Sequence, residues 1–298
     1  MSITVVGSVA LDTVETPAGR NEGGLGGAAT YFSLAAVHYA PIHLVGVVGE
    51  DFPQAHVDLF HHCGVHLEGL ERAPGRTFRW TGRYHDDVNE RDTLETQLNV
   101  FENFHPRLPE AARRSPYLFL GNIHPSLQLE VLDQVNPTFT ALDTMNLWID
   151  IAQEDLRKVL ARTDAIIIND AEVRLLTGRT NVIRGAREVG ALGPRIVVVK
   201  KGEHGCLLFA DDTIFSAPAF PLENVVDPTG AGDTFAGGFM GYIARQNSLD
   251  LATLRRAVIH GSVVASFACE DFGPRPLVTL TPERIAGRFD KFKALVDF

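Results

Sequence analysis

The residues best spaced for chemistry lie in one unbroken string, Asp227-Pro228-Thr229-Gly230-Ala231-Gly232-Asp233-Thr234-Phe235-Ala236-Gly237-Gly238. Three small residues, Gly230, Ala231 and Gly232, stand between two aspartates and lead into a helix-like run from Thr234 to Arg245. Without bulky side chains, the backbone N–H groups of such a turn can close on a ligand. The start of a helix adds partial positive charge, so the turn would seat an anion. A carboxylate beside an anion seat repels the anion, which makes Asp233 unusual there. Its presence is explained if Asp233 takes a proton from a hydroxyl while the turn holds the charge developing on a phosphoryl group. Over Gly-Ala-Gly-Asp alone, an ordinary glycine-rich strand-to-helix turn with an acidic first-turn residue would look the same.

Such groups need a frame. The chain has 298 residues and 45% apolar content, enough to bury a large core. Short, mostly β-branched runs recur at Ile3–Val9, His43–Val48, Tyr117–Leu120, Thr138–Leu142, Ala165–Ile168, Ile196–Val199 and Gly205–Phe209. They read as strands buried on both faces. Helical patterns lie between them, at Ala28–Tyr39, Pro53–Cys63, Leu127–Val135, Gln153–Ala161, Glu172–Thr177, Asn181–Leu192, Thr234–Arg245 and Leu251–Cys269. Strand alternating with helix predicts an α/β fold with a doubly wound, mainly parallel sheet and helices on both faces. One region departs from that pattern. Arg76–Phe101 alternates apolar and polar residues around the turn His85–Glu90 and reads as an antiparallel hairpin, with Leu11–Arg20 as a further strand beside it. Phe78, Trp80 and Tyr84 fall at even spacing and share one face of that hairpin, where they would stack on a ring or serve as its core.

Composition narrows the function. A net charge of −10 with no Lys/Arg-rich run argues against a nucleic-acid surface. Cys63, Cys206 and Cys269 are far apart and odd in number, which suits a reducing cytoplasm better than a disulfide framework or a zinc motif. The N-terminus lacks the basic flank and apolar core of a signal peptide, and no apolar run approaches the roughly 20 residues that span a bilayer. Two other patterns are set aside. Gly24-Leu25-Gly26-Gly27-Ala28-Ala29 satisfies G-x-G-x-x-A with Glu50 about 20 residues on, the fingerprint of a dinucleotide-dependent oxidoreductase, but Glu15–Glu22 before it reads as loop. His56, His61, His62, Cys63 and His66 cluster without the spacing of a standard zinc site and fit the polar face of a helix.

The string Asp227–Gly238 resembles the C-terminal signature of the ribokinase-like (PfkB) carbohydrate and nucleoside kinases, D-T-x-G-A-G-D-x-F-x-x-G, with Asp227-Pro228-Thr229 at its start. The resemblance implies that Asp233 is the catalytic base and that the Gly230, Ala231 and Gly232 amides form an anion hole. It places Asp227 near the metal and monovalent-cation region. Gly23–Ala36 is similar to the family's N-terminal Gly-Gly run entering a helix, which implies substrate contacts at Gly26 and Gly27. The family's Asn is missing from that run; the best register puts Tyr31 in its place, with Thr30 beside it. Asp12, just after the first strand, stands where the family accepts hydrogen bonds from substrate hydroxyls. Gly46–Asp51 resembles the G-x-V-G-x-D segment that packs near the substrate.

On the nucleotide side, Asn169-Asp170-Ala171-Glu172 resembles the family's N-x-x-E motif, tied to magnesium and phosphate. The same residues would also make a helix capping box, and both roles can hold together. Val199–Gly205 is similar to the segment at the ATP phosphates, with Lys200 or Lys201 to screen charge and Gly202 beside them. Thr229 and Gly232 would face the nucleotide, and His260 falls where the family lines its adenine pocket. Ala268 and Gly273 match positions whose carbonyls hold a monovalent cation. Taken whole, the resemblance implies one ribokinase-like domain over residues 1–298, with a small β-sheet lid from about 11–20 and 76–101; the hairpin's apolar face needs cover, which a homodimer paired through the lid would supply. It implies an ATP-dependent kinase that moves the γ-phosphoryl of MgATP to a primary hydroxyl of a small sugar or ribonucleoside, with K⁺ as an activator. A sensor of the same fold without turnover is the competing reading, and intact Asp233, Asn169 and Glu172 argue against it.

Overall fold

The computed structural model describes residues 1–297. Its strands are β1 (Ile3–Val6), β2 (Ala10–Thr16), β3 (Gly19–Gly26), β4 (Ile42–Gly49), β5 (Val65–Ala73), β6 (Arg79–Tyr84), β7 (Arg91–Gln97), β8 (Tyr117–Leu120), β9 (Phe139–Asp143), β10 (Ala165–Asn169), β11 (Ile196–Lys200), β12 (Cys206–Ala210) and β13 (Thr213–Ala217). Its helices are α1 (Ala28–Ala36), α2 (Gln54–His62), α3 (Glu110–Arg113), α4 (Pro125–Leu132), α5 (Asn146–Ile151), α6 (Gln153–Leu160), α7 (Asp170–Thr177), α8 (Val182–Gly190), α9 (Ala231–Gln246), α10 (Leu251–Ala268), α11 (Arg275–Val278) and α12 (Pro282–Val296).

The seven apolar runs, with β5 and β13 added at the two edges, build a nine-stranded sheet in the order β13-β12-β11-β10-β9-β8-β1-β4-β5. Neighbours from β5 across to β11 pair in parallel, and β12 and β13 add antiparallel strands at one edge. Both faces are covered, as continuous apolar strands require. One core joins the sheet to α1, α2, α9, α10 and α12 through residues such as Phe32, Phe60, Phe239, Val263 and Phe292. The other joins it to α3 through α8 through Ala112, Val131, Ile149, Leu156, Val173 and Val189. No helix of the described residues is long and apolar enough to cross a membrane.

The second sheet has four strands in the order β3-β2-β6-β7. The predicted hairpin is β6 and β7, and the strand expected at Leu11–Arg20 is β2. The addition is β3, which extends the small sheet through Gly26. The stretch Glu15–Glu22 is therefore not loop: it is strand on either side of a turn at Pro17–Ala18. The dinucleotide fingerprint fails for a different reason, because its glycines are already filled by protein. A Cβ at Gly24 would meet the Asn21 side chain, one at Gly26 would collide with the Asp12 carboxylate, and one at Gly27 would lie 2.5 Å from the Ser8 carbonyl oxygen.

The glycine-rich string is also placed differently from its reading as a turn before a helix. Gly230, at φ 74, is the N-cap of α9, so Ala231, Gly232 and Asp233 form the helix's first turn. Further along, a Cβ at Gly237 would lie 2.5 Å from the Phe32 carbonyl oxygen, and one at Gly238 would lie 3.0 Å from Gly261 Cα. The last glycines of the string thus let α9 pack close against α1 and α10, and the chemistry is left to the first half.

Candidate active site

In open α/β sheets, ligands gather at the carboxyl ends of the parallel strands. Here those ends carry Asp143 (β9), Asn169 (β10) and Lys200 (β11), with Asn169 and Lys200 register partners. The Lys200 ammonium bonds Asp143 Oδ2 at 3.2 Å, and both side chains are mostly buried. It also lies over the first turn of α9, since a Cβ at Gly232 would be 2.9 Å from Nζ. Burial works against the Lys200 charge, but Asp143, Glu172 and Asp233 outweigh it and raise its pKa. Asp143 was missed by sequence reasoning; its only signal is a carboxylate closing a buried apolar run.

Asn169 and Glu172 form the expected capping box. Glu172 N donates to Asn169 Oδ1 at 2.8 Å and Asn169 N donates to Glu172 Oε2 at 2.9 Å. Glu172 is buried, and burial followed by the Asp143 charge pushes its pKa up to about 7, against the pull of Lys200. Asp233 behaves alike: burial and then Asp143 push it up to about 7, while Lys200 and Arg91 act the other way. The expected hole of three successive amides is altered. Ala231 N–H is spent on the Pro228 carbonyl at 3.1 Å, because the chain tightens into the helix there. Asp233 N–H turns to its own carboxylate, and among the described residues the N–H groups of Gly230 and Gly232 have no protein acceptor, so these are the donors open to an anion.

Asp12 sits across from this cluster. It is buried, Oδ1 has no hydrogen-bond partner, and burial above all pushes its pKa up to about 7. An orphaned buried acceptor is the group that a substrate hydroxyl would satisfy. Thr30 is less free than expected, since its hydroxyl donates to the Gly26 carbonyl at 2.6 Å. Gly26 and Gly27 make close approaches to Asp12 and Ser8, as described above. Tyr31 is buried with its ring against Gly230, where a Cβ would collide with it. Burial and the carboxylates of Asp227, Asp12 and Asp233 hold its phenol well above its ordinary pKa.

The small sheet closes over these groups. Tyr84 Oη lies 3.3 Å from Thr229 Oγ1, beside the anion turn. Arg91, the register partner of Tyr84, stands with its guanidinium 5.7 Å from the Trp80 ring centre and lends positive charge to Asp233 and Glu172. Sequence reasoning missed Arg91, an ordinary charged residue at a hairpin turn. Of the three hairpin aromatics, Phe78 packs on Phe101 as core, with centroids 5.5 Å apart, and Tyr84 is buried. Trp80 lies across a glycine, Gly82, and like Phe78 is only partly buried. At the hairpin tip, Asn89 Nδ2 donates to Glu203 Oε2 at 3.2 Å, and a Cβ at Gly202 would lie 2.5 Å from Asn89 Oδ1.

Some expected contacts are elsewhere. Lys200, not Lys201, joins the carboxylate cluster; Lys201 lends its charge to the Cys206 region on the next strand. His260 is boxed by aromatic rings, with Tyr242 at 4.2 Å, Phe289 at 4.7 Å and its Nδ1 3.1 Å from Tyr39 Oη. Both ring faces are covered, so it has no face for adenine. Asp227 is a brace: Oδ1 accepts Thr229 N at 2.9 Å and Oδ2 accepts Gly273 N at 3.0 Å. That bond does join the two segments, Asp227–Thr229 and Ala268–Gly273, that were assigned together to a monovalent cation.

Comparisons with known proteins place the fold that carries these residues. The pfkB family carbohydrate kinase model matches residues 2–280. The chain is 30% identical over 256 residues to the cytidine kinase of Thermococcus kodakarensis, covering 84% of this chain and 91% of that one. Its fold is similar to the nucleoside kinase of Burkholderia thailandensis, solved with inosine (TM-score 0.81, 21% identity, 98% and 99% of the two chains). It is also similar to the aminoimidazole riboside kinase of Salmonella enterica, solved with aminoimidazole riboside and an ATP analogue (TM-score 0.76, 20% identity, 97% and 100%). A family match that takes in every strand of both sheets, with a relative aligned over most of its length, makes this chain a member of the pfkB carbohydrate kinases, phosphotransferases whose acceptor is a hydroxyl group.

Proposed function

We propose that this kinase moves the γ-phosphoryl group of MgATP to the primary hydroxyl of a ribonucleoside, with Asp233 as general base. The observation that carries the reading is Asp233 in the first turn of α9, beside the unpaired N–H groups of Gly230 and Gly232. A hydroxyl is a poor nucleophile until its proton has an acceptor, and a carboxyl pushed up to about 7 is matched to that task near neutral pH. Phosphoryl transfer passes through a loose transition state, so positioning and charge stabilisation carry most of the catalysis. The free amides, the α9 N-terminus, Lys200 and Arg91 supply that stabilisation.

Magnesium fits the remaining groups. Asp143 and Glu172 are hard oxygen donors, and the pKa of Glu172, raised by burial and by Asp143, marks a site with surplus negative charge. A bound Mg²⁺ would offset charge on the triphosphate, with Glu172 and Asn169 holding its water shell. Asp12, with its orphaned Oδ1, takes a ribose hydroxyl, and the partly exposed Trp80, with Arg91 beside its ring, is the aromatic group that would support a base. The similarity to a cytidine kinase over most of both chains favours a nucleoside over a free sugar. Activation by K⁺ rests on the braced Asp227–Gly273 contact, and pairing of two copies through the small sheet rests on the exposed outer strand β7. The three free thiols, Cys63, Cys206 and Cys269, suit a cytoplasmic setting.

The test is ADP release with ATP and Mg²⁺ over a panel of ribonucleosides, ribose and fructose. Turnover of one or more nucleosides, abolished by excess chelator, is expected. Turnover of ribose or fructose with none of adenosine, guanosine or cytidine would reverse the choice of substrate class. No ADP with any acceptor would overturn the reaction.

A further inference from the structure

The histidines that cluster in the sequence disperse in the fold. His61 and His62 are exposed on α2, and His56 packs beside Phe52 with ring centres 5.5 Å apart. His66 finds a different neighbourhood. It begins the outward face of β5 and is the register partner of His43 on β4. Parallel strands lie about 4.8 Å apart, and the two imidazole rings stack across that gap with centroids 4.8 Å apart. Glu68, two residues along β5 and so on the same face, brings Oε1 to 3.8 Å from His66 Nδ1. One donor atom from each of the three lies within 4.8 Å of the others.

We propose that His43, His66 and Glu68 form a divalent transition-metal site, of the kind that takes zinc, which fastens the edge strand β5 to β4. Two imidazole nitrogens and one carboxylate oxygen are a donor set for zinc and its late first-row neighbours; magnesium and calcium prefer oxygen throughout. Donors around tetrahedral zinc lie about 3.3 Å apart, given zinc–nitrogen bonds of about 2.0–2.1 Å. Side-chain rotation can close the difference, because the His66 and Glu68 side chains are 48% and 63% exposed. His43 is partly buried and holds its ring against His66 from the neighbouring strand. Water completes the fourth position.

Location gives the site a structural purpose. β5 is the last strand of the nine-stranded sheet, and its pairing with β4 slips between His43 and Val45. A metal bridging His43 and His66 pins the register on one side of that slip. His43 is the second residue of its strand, so the site lies at the amino ends of the strands, opposite Asp143, Asn169 and Lys200. It is independent of the nucleotide magnesium.

The experiment uses the full chain stripped with chelator. Calorimetric titration with Zn²⁺ alone is expected to give one site per chain and to raise the thermal midpoint, with no such binding from Mg²⁺ alone. Cobalt in place of zinc should give the visible absorption of a tetrahedral complex. His66→Ala and Glu68→Gln, both on exposed side chains, should weaken zinc binding at least about 10–100-fold, the range seen even for groups one shell further out. Both should leave the metal-free midpoint and the magnesium-dependent activity unchanged. Absence of stoichiometric zinc binding to the wild type would overturn the proposal, and so would binding that survives His66→Ala.

Discussion

Asp233 is buried close enough to Asp143 and Lys200 for both charges to move its titration. The base works only when deprotonated, and the rate should rise with pH through about 7. Lys200 lowers the Asp233 pKa and Asp143 raises it. Lys200→Met should therefore move the acid limb of the kcat/KM profile to higher pH, and Asp143→Asn should move it to lower pH. Opposite displacements in the two profiles are the signature; a common shift would mean that Asp233 is not the titrating group. Asp233→Asn keeps size and removes the proton acceptor, so kcat should fall by about 10² or more with nucleotide and substrate binding held within a few-fold. Asp233, Asp12 and Glu172 were legible because each sits in a local motif. Asp143, Lys200 in preference to Lys201, and Arg91 were not. Their partners come from distant strands, and only the register of β9, β10 and β11 and the fold-over of β7 bring the charges together.

The element that matters most is the first turn of α9. Gly230 is left-handed there and its open side is filled by the Tyr31 ring. Gly230→Ala should cost about 1–2 kcal/mol for the backbone conformation alone, plus the displacement of Tyr31. Because the same turn aims the free amides, kcat should drop along with the thermal midpoint. In the small sheet, Gly82→Ala would push Trp80 off its seat. If Trp80 supports the substrate base, KM for the nucleoside should rise while kcat and KM for ATP change little; an equal fall in kcat would make Trp80 structural instead. Elements with continuous apolar runs were readable from sequence, and β8 begins and ends where its apolar run does. Of the strands not read, β3 and β5 carry polar residues and glycines, as in Gly19-Arg20-Asn21-Glu22, and β13 is a short alternating run, Thr213–Ala217. They are edge strands or members of a one-sided sheet, and their pairing is decided by neighbours that no local pattern reveals.

At the scale of the whole molecule, the site sets terms for stability. Asp12, Glu172 and Asp233 each titrate at about 7 in the fold, well above the ordinary carboxyl range. Between those ordinary values and about 7 the native state holds more protons than the unfolded chain, so these groups make stability fall as pH rises through that window. His260 works in the opposite sense. Burial lowers it to about 4, so the unfolded chain binds the extra proton between about 4 and 6.5, and stability falls as pH drops. The two sets oppose each other below about 6.5, and only the carboxyls act above it. Asp12→Asn isolates one contributor, because it removes a charge that burial disfavours and leaves the fold's other titrating groups in place. One pKa unit corresponds to about 1.4 kcal/mol, so the rise of Asp12 from 3.8 to about 7 puts the upper limit of the variant's gain over the wild type above pH 7 at about 4 kcal/mol. Its advantage should shrink steadily as pH falls and vanish near the ordinary carboxyl pKa. The measurement is urea unfolding of both proteins across that range, with nucleoside KM measured on the same samples. A variant that is more stable at pH 8 but binds substrate more weakly would show that the buried Asp12 charge is kept for the ligand at the expense of the fold. Equal stability at every pH would show that the Asp12 carboxyl is not strained, and its role as a hydroxyl acceptor would lose its physical support.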